Sequence, residues 1–229
     1  MEVAVLFARS DSHYKLLPGC DVWDIERDAR NWPGGAPVVA HPPCRAWGQL
    51  QRWAKPRPDE KALSLWAVDK VRQFGGVLEH PNRSTLWPVA GLPEPGRRDE
   101  FGGWTLPIHQ HCWGHRAEKK TRLYIVGCHP NDIPIIPLRI DEPTHTIGLW
   151  SGRKQGHRPD LPKAEREHTP PDLAVWLVEL ARRCHVRANV EANRHFAAGW
   201  VWARLLKPKP GPPHSVRLSD LLGHTTLAA

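Results

Sequence analysis

The chain has no CxxC pair, and its five cysteines, at 20, 44, 112, 128 and 184, are odd in number and widely spaced. That excludes a disulfide-stapled scaffold and predicts a reducing, cytoplasmic setting. No apolar run approaches the roughly 18 residues that a membrane-crossing helix needs. The opening MEVAVLFARSDSHYK lacks a basic segment followed by a long apolar one, so neither a signal peptide nor a membrane span is expected. Internal repeats are also missing. Acidic residues are in the minority, 24 against 32 basic ones, for a formal net charge of +8 and a pI near 9.5. The surplus favours a polyanionic partner, DNA above all, and its denser stretches are 115–122, 153–166 and 182–187.

What is abundant is proline, 24 residues, and tryptophan, 12 residues, in a chain of 229 that is 40% hydrophobic. The apolar share suffices for a real core, and the prolines predict long, stiff loops. Alternation and β-branched runs predict strands at 2–7, 20–26, 36–41, 76–80 and 121–128. Residues 59–74 predict an amphipathic helix capped by Asp59, with Ala62, Leu65, Trp66, Val68 and Val71 on its apolar face, ended by Gly75-Gly76. A second helix is expected over 172–185, with Thr169 as N-cap and Pro170 at its first position, and a last one over 190–206. Residues 82–120 and 129–171 read as loops. The predicted class is α/β, a mostly parallel sheet flanked by helices, in one domain over 1–207, with a KPKPGPP linker and tail over 208–229.

Sites in parallel α/β sheets form at the carboxyl ends of strands. Three polar motifs fall there: His41-Pro42-Pro43-Cys44, Glu79-His80-Pro81, and Glu118-Lys119-Lys120-Thr121-Arg122 leading into LYIVG. In this order the motifs resemble those of the DNA cytosine-5 methyltransferases. There a Pro-Cys pair after a strand carries the nucleophile, a later strand ends in Glu-Asn-Val, and a Gln-x-Arg-x-Arg motif precedes an apolar strand. KAEREHTPPDLAVWLVELARR also resembles the closing segment of reduced, phage-type members, so the likeness covers roughly 2–8 and 20–183.

The resemblance implies an abbreviated Rossmann-like methyltransferase fold and one-carbon transfer to carbon 5 of cytosine in DNA, with S-adenosylmethionine as donor. Cys44 would add to ring carbon 6. Glu79 would bind N3 and the exocyclic amine. Arg122 would hold the base carbonyl or a phosphate and, with Lys120, lower the thiol pKa. Phe7, Asp11, Ser12, Asp24 and Glu26 would face the cofactor, either with Asp24 or Glu26 on the ribose hydroxyls or with DVWDIERDARNW matching the later Asp-Ile strand that faces the adenine. Arg45, Trp47, Lys120 and Arg166 would face the nucleic acid, whose target base must leave the stack.

The chain departs from the family in three ways. Phe7-Ala8-Arg9-Ser10-Asp11-Ser12 holds none of the glycines of the usual cofactor loop, about 17 residues separate Asp24 from His41, and the span after Arg122 is too short for a full target-recognition domain. Three other readings stand beside this one. The first is a zinc site from His109, His111, Cys112, His115, Cys128 and His129. The second is a non-catalytic nucleic-acid binder that stacks bases on Trp47, Trp53, Trp87, Trp104 and Trp113. The third is a related pyrimidine-5-modifying enzyme with another donor or a nucleotide substrate.

Overall fold

Short Val- and Ala-rich runs, buried on both sides, build the centre of the molecule. The structure, a computed structural model, describes residues 1–49, 51–147 and 158–185. Its elements are β1 (Val3–Leu6), β2 (Cys20–Trp23), β3 (Val38–Ala40), α1 (Glu60–Phe74), β4 (Gly76–Pro81), α2 (Leu86–Val89), β5 (Trp104–His109), β6 (Lys120–Val126), α3 (Lys163–Glu167) and α4 (Pro171–Arg182). The sheet has six strands in the order β2-β1-β3-β4-β6-β5. β1 to β4 are parallel, and β6 runs antiparallel to both β4 and β5. The α/β class and the mostly parallel sheet are as expected, with one reversed strand. The predicted helix at 190–206 and the linker and tail at 208–229 lie outside the described residues.

Strand alternation sorts the core into two layers. Val3, Val5, Val39, Val77, Leu123 and Ile125 face α4, which lays down Leu173, Leu177, Leu180 and Ala181. Ala4, Leu6, Val38, Ala40, Leu78 and Tyr124 face α1 and Trp87. On α1 the buried stripe is Glu60, Leu63, Ser64, Ala67, Val68 and Val71; Val68 and Val71 are as expected, whereas Ala62 is exposed and Leu65 and Trp66 are half-buried. The stripe is shifted because two polar members have partners beneath the helix. Ser64 donates to the Pro43 carbonyl at 3.1 Å, and Glu60 takes Arg45. Asp59 stands at the N-cap without a capping hydrogen bond, its carboxylate directed to Arg57 and Arg30. In α4 the cap moves one residue, to Pro170, with Pro171 in the first turn.

β5 lies in the stretch expected to be loop. Pro107 sits inside it opposite Arg122, which is tolerated because β5 is an edge strand, where a missing N–H faces away from the ladder.

Candidate active site

The carboxyl ends of β1, β3 and β4 share one edge of the sheet. β6 begins there, and Gln110, following β5, reaches the same edge. His41 continues the parity of Val39 and Glu79 that of Val77, so both side chains lie on the α4 side. His41 Nδ1 is 3.1 Å from Glu79 Oε2, and Tyr14 Oη is 2.8 Å from His41 Nε2. Gln110, fully buried, donates through Nε2 to Glu79 Oε1 at 3.1 Å. Burial alone would raise the Glu79 carboxyl. The hydrogen bond from His41 and the positive charge around it, Lys119 included, outweigh that and hold it below the usual carboxylate range.

Cys44 follows in the turn after β3. Its carbonyl accepts from the amides of Trp47 (3.0 Å) and Gly48 (2.8 Å), while Ser64 pins the preceding carbonyl. The residue is exposed, yet the protein around its sulfur and the Glu79 carboxylate push the thiol up, with Lys119 acting in the opposite direction. Lys119 donates to the His168 carbonyl at 3.2 Å. Burial pulls its ammonium below the usual lysine range, although Glu79, Cys44 and Glu167 counteract. A thiol, a carboxylate and an ammonium thus act on one another at the edge of two adjacent parallel strands.

The two cations expected to serve Cys44 are elsewhere. Register pairs His80 with Arg122 and Glu79 with Leu123, which puts Arg122 on the α1 side. There it donates to Asn82 at 2.7 Å, pairs with Glu94 at 3.1 Å and lies over Trp87. Lys120 shares that parity and pairs with Glu118 at 3.3 Å. Lys119, their neighbour, takes the position assigned to them. Trp47 is buried at 4% exposure and cannot stack on a base, and Arg45 is engaged by the buried Glu60. Arg166 lies on α3 with its Nε buried and unpartnered. Glu167 and His168, which the motifs did not single out, close on the β1–β2 loop through Arg9 (3.1 Å) and Asp11 (3.3 Å). Tyr14 carried no sequence signal, whereas Gln110 lay within the HQHCWGH run and His41 within the Cys44 motif itself.

Of the residues expected to hold S-adenosylmethionine, Asp11 and Ser12 line a cleft, whereas Phe7, Asp24 and Glu26 do not. Asp24, at 4% exposure, is already satisfied by Lys15 at 2.7 Å and by the amides of Glu26 and Arg27. Asp11 engages Arg9 and His168, Ser12 accepts from the Tyr14 amide, and Glu26 points to solvent. Phe7 adopts φ 62°, a left-handed conformation rare for an aromatic residue, and sets its ring edge-on to Trp66 at 5.8 Å. Asp11 and Asp24 are engaged by cations and Glu26 is exposed, while the loop 7–12 has no glycine to allow close backbone approach. A cleft of about 710 Å³ opens nearby, lined by Asp11, Ser12, Trp113, Arg116, His168 and Asp172 among others, but it includes neither Cys44 nor Glu79.

The histidine-rich run does not converge on a metal. His109 pairs with Glu118, His111 bonds the His115 and Asp141 carbonyls, and His115 bonds that of Ala117. Among the described residues no group of three His, Cys, Asp or Glu side chains could hold an ion. Likewise, no described helix is long and apolar enough to cross a membrane.

His80 is buried beneath the Cys44 turn with neither ring nitrogen hydrogen-bonded. Burial lowers its pKa from 6.5 to about 4. The unfolded chain therefore takes up the proton first. This contribution to stability is complete above pH 6.5 and is lost as pH falls towards 4. Its share should be about 2 kcal/mol smaller at pH 5 than at pH 7. Urea unfolding at the two pH values checks this, because His80→Leu should lose that part of the dependence.

No family model, no curated protein and no solved structure matches this chain.

Proposed function

We propose that the protein modifies carbon 5 of cytosine in DNA through a covalent Cys44 adduct. One observation carries the reading: Cys44 and Glu79 leave adjacent parallel strands at the same edge, and Lys119 acts on both. In the reaction the sulfur bonds to ring carbon 6 and the electron pair of the C5–C6 double bond moves to carbon 5. Glu79, an anionic acceptor, takes the exocyclic amine. The carbon-5 pair then bonds to an electrophilic carbon of the donor, whose leaving group departs with its bonding pair; water takes the carbon-5 proton, and the C–H pair restores the double bond as the thiolate is expelled. The glycine-free loop 7–12 and the engagement of Asp24 by Lys15 favour, as a second reading, a related pyrimidine-5 enzyme with a different electrophilic donor.

The test needs no donor. In D2O, reversible addition places deuterium on carbon 5, so cytosine in an oligonucleotide gains one mass unit. Single strand, duplex and free dCMP are the three substrates to compare. No exchange in any of them overturns the reading.

For nucleic-acid contact, Trp53 replaces Trp47. Of the described tryptophans it alone is exposed, at 64%, with the Arg52 guanidinium 3.9 Å above its ring. Trp87, Trp104 and Trp113 are buried. Trp53→Ala should weaken single-stranded DNA binding roughly tenfold with an unchanged salt slope, because a stacking surface is lost and no charge. Fluorescence anisotropy across a salt series reads both quantities.

A further inference from the structure

We infer that Tyr14 and His41 are a positioning pair that fixes Glu79 as a hydrogen-bond acceptor before any substrate arrives. The inference deepens the site proposed above and rests on that reading only for its use in the reaction. Tyr14 is 1% exposed, and among the described residues its hydroxyl has one partner, His41 Nε2, at 2.8 Å. Its ring also packs on the imidazole, 5.5 Å between centroids. A buried hydroxyl proton with one available acceptor goes to that acceptor. Nε2 then accepts, the imidazole proton is on Nδ1, and Nδ1–H donates to Glu79 Oε2 at 3.1 Å. Gln110 presents its amide N–H to the other oxygen, and this amide is oriented by Thr121 Oγ1 at 3.4 Å. Both carboxylate oxygens thus receive one proton donor from the protein, and each keeps a lone pair for a substrate N–H. The charged and titratable groups around Glu79 are His41 from the end of β3, Lys119 ahead of β6, His80 beside it on β4, Tyr14, and Cys44 in the turn, with Glu167 acting on Lys119 and Cys44. Without the His41 donor, burial would leave Glu79 protonated over a higher pH range.

Cys44 reports this without any nucleic acid. The Glu79 charge pushes its thiol up, so neutralising Glu79 should speed alkylation. Iodoacetamide labelling of the full chain, with Cys44 followed by peptide mass spectrometry from pH 6 to 9, is the experiment. His41→Ala should label about threefold to tenfold faster near neutrality, with a new inflection where Glu79 titrates. Glu79→Gln should label equally fast without the inflection, and the double variant should match Glu79→Gln alone. His41→Asn, which keeps an N–H near the Nδ1 position, should follow the unaltered protein, and Tyr14→Phe should fall between. A folded His41→Ala with the unaltered profile, additive effects in the double variant, or His41→Asn behaving as His41→Ala would each overturn the inference. None of these outcomes depends on whether cytosine is the substrate, and the deuterium assay does not depend on His41.

Discussion

Replacing Cys44 by serine should abolish deuterium incorporation at carbon 5 of cytosine and leave the fold intact. Cys44 is exposed and belongs to neither buried cluster, so the substitution disturbs no packing. A neutral serine hydroxyl lacks the nucleophilicity of a thiolate. The expected loss is about 1,000-fold or more, the scale seen when a covalent nucleophile is removed. Circular dichroism and DNA binding should be unaltered. Full incorporation by Cys44→Ser would place the nucleophile elsewhere. A protein that binds DNA and exchanges nothing, with or without Cys44, would be the non-catalytic binder. Because the resting thiol is pushed up, exchange by the unaltered protein should rise with pH across the neutral range.

Much of this site was legible because its main residues sit at strand ends. VVAHPPC and GVLEHP are apolar runs broken by proline, and a chain that feeds parallel strands has to put such breaks at the same edge. What the sequence concealed was pairing. Within β6 alternation groups Lys120 with Arg122 and Thr121 with Leu123, but which group shares a face with Glu79 depends on the register against β4. The strand also had to be recognised as reversed, and the signal for that, β5 on its outer side, was hidden by Pro107. Trp47 misled for a related reason. It follows an exposed Cys44 and Arg45 in the chain, yet the turn closed by the Cys44 carbonyl swings it under α1. Asp24 had the right location for a ribose ligand, but Lys15 and two backbone amides occupy its oxygens, and only the folded loop brings these together.

Gly76→Ala should be the most damaging single substitution to the frame of the site. The Gly75-Gly76 pair reads as a helix stop, and Gly75 does serve α1 as its C-cap, with its amide on the Val71 carbonyl. Gly76 has a different task. Its φ is 120°, which L side chains rarely adopt, and a Cβ there would fall on the Val38 carbonyl oxygen and 2.5 Å from the Val38 nitrogen. The obstacle is backbone of a fully buried strand and cannot rotate away. Relief would require β4 to move from β3 at the first pair of their ladder, Val38 with Gly76, which sets Val39 against Val77 and Ala40 against Leu78. Continued one step, that register delivers His41 beside Glu79. Strain of this kind combined with a core clash exceeds the usual range for a point substitution, so a loss of about 4 kcal/mol or more is expected. Thermal unfolding should detect it as a large fall in midpoint or a failure to fold. Gly35→Ala is the control: its φ is 95°, but nothing lies within 4 Å of the added Cβ, so only the backbone strain remains and the loss should be far smaller. If Gly76→Ala folds with the stability of the unaltered protein, β3 and β4 do not approach as described, and the adjacency of His41, Cys44 and Glu79 falls with that register.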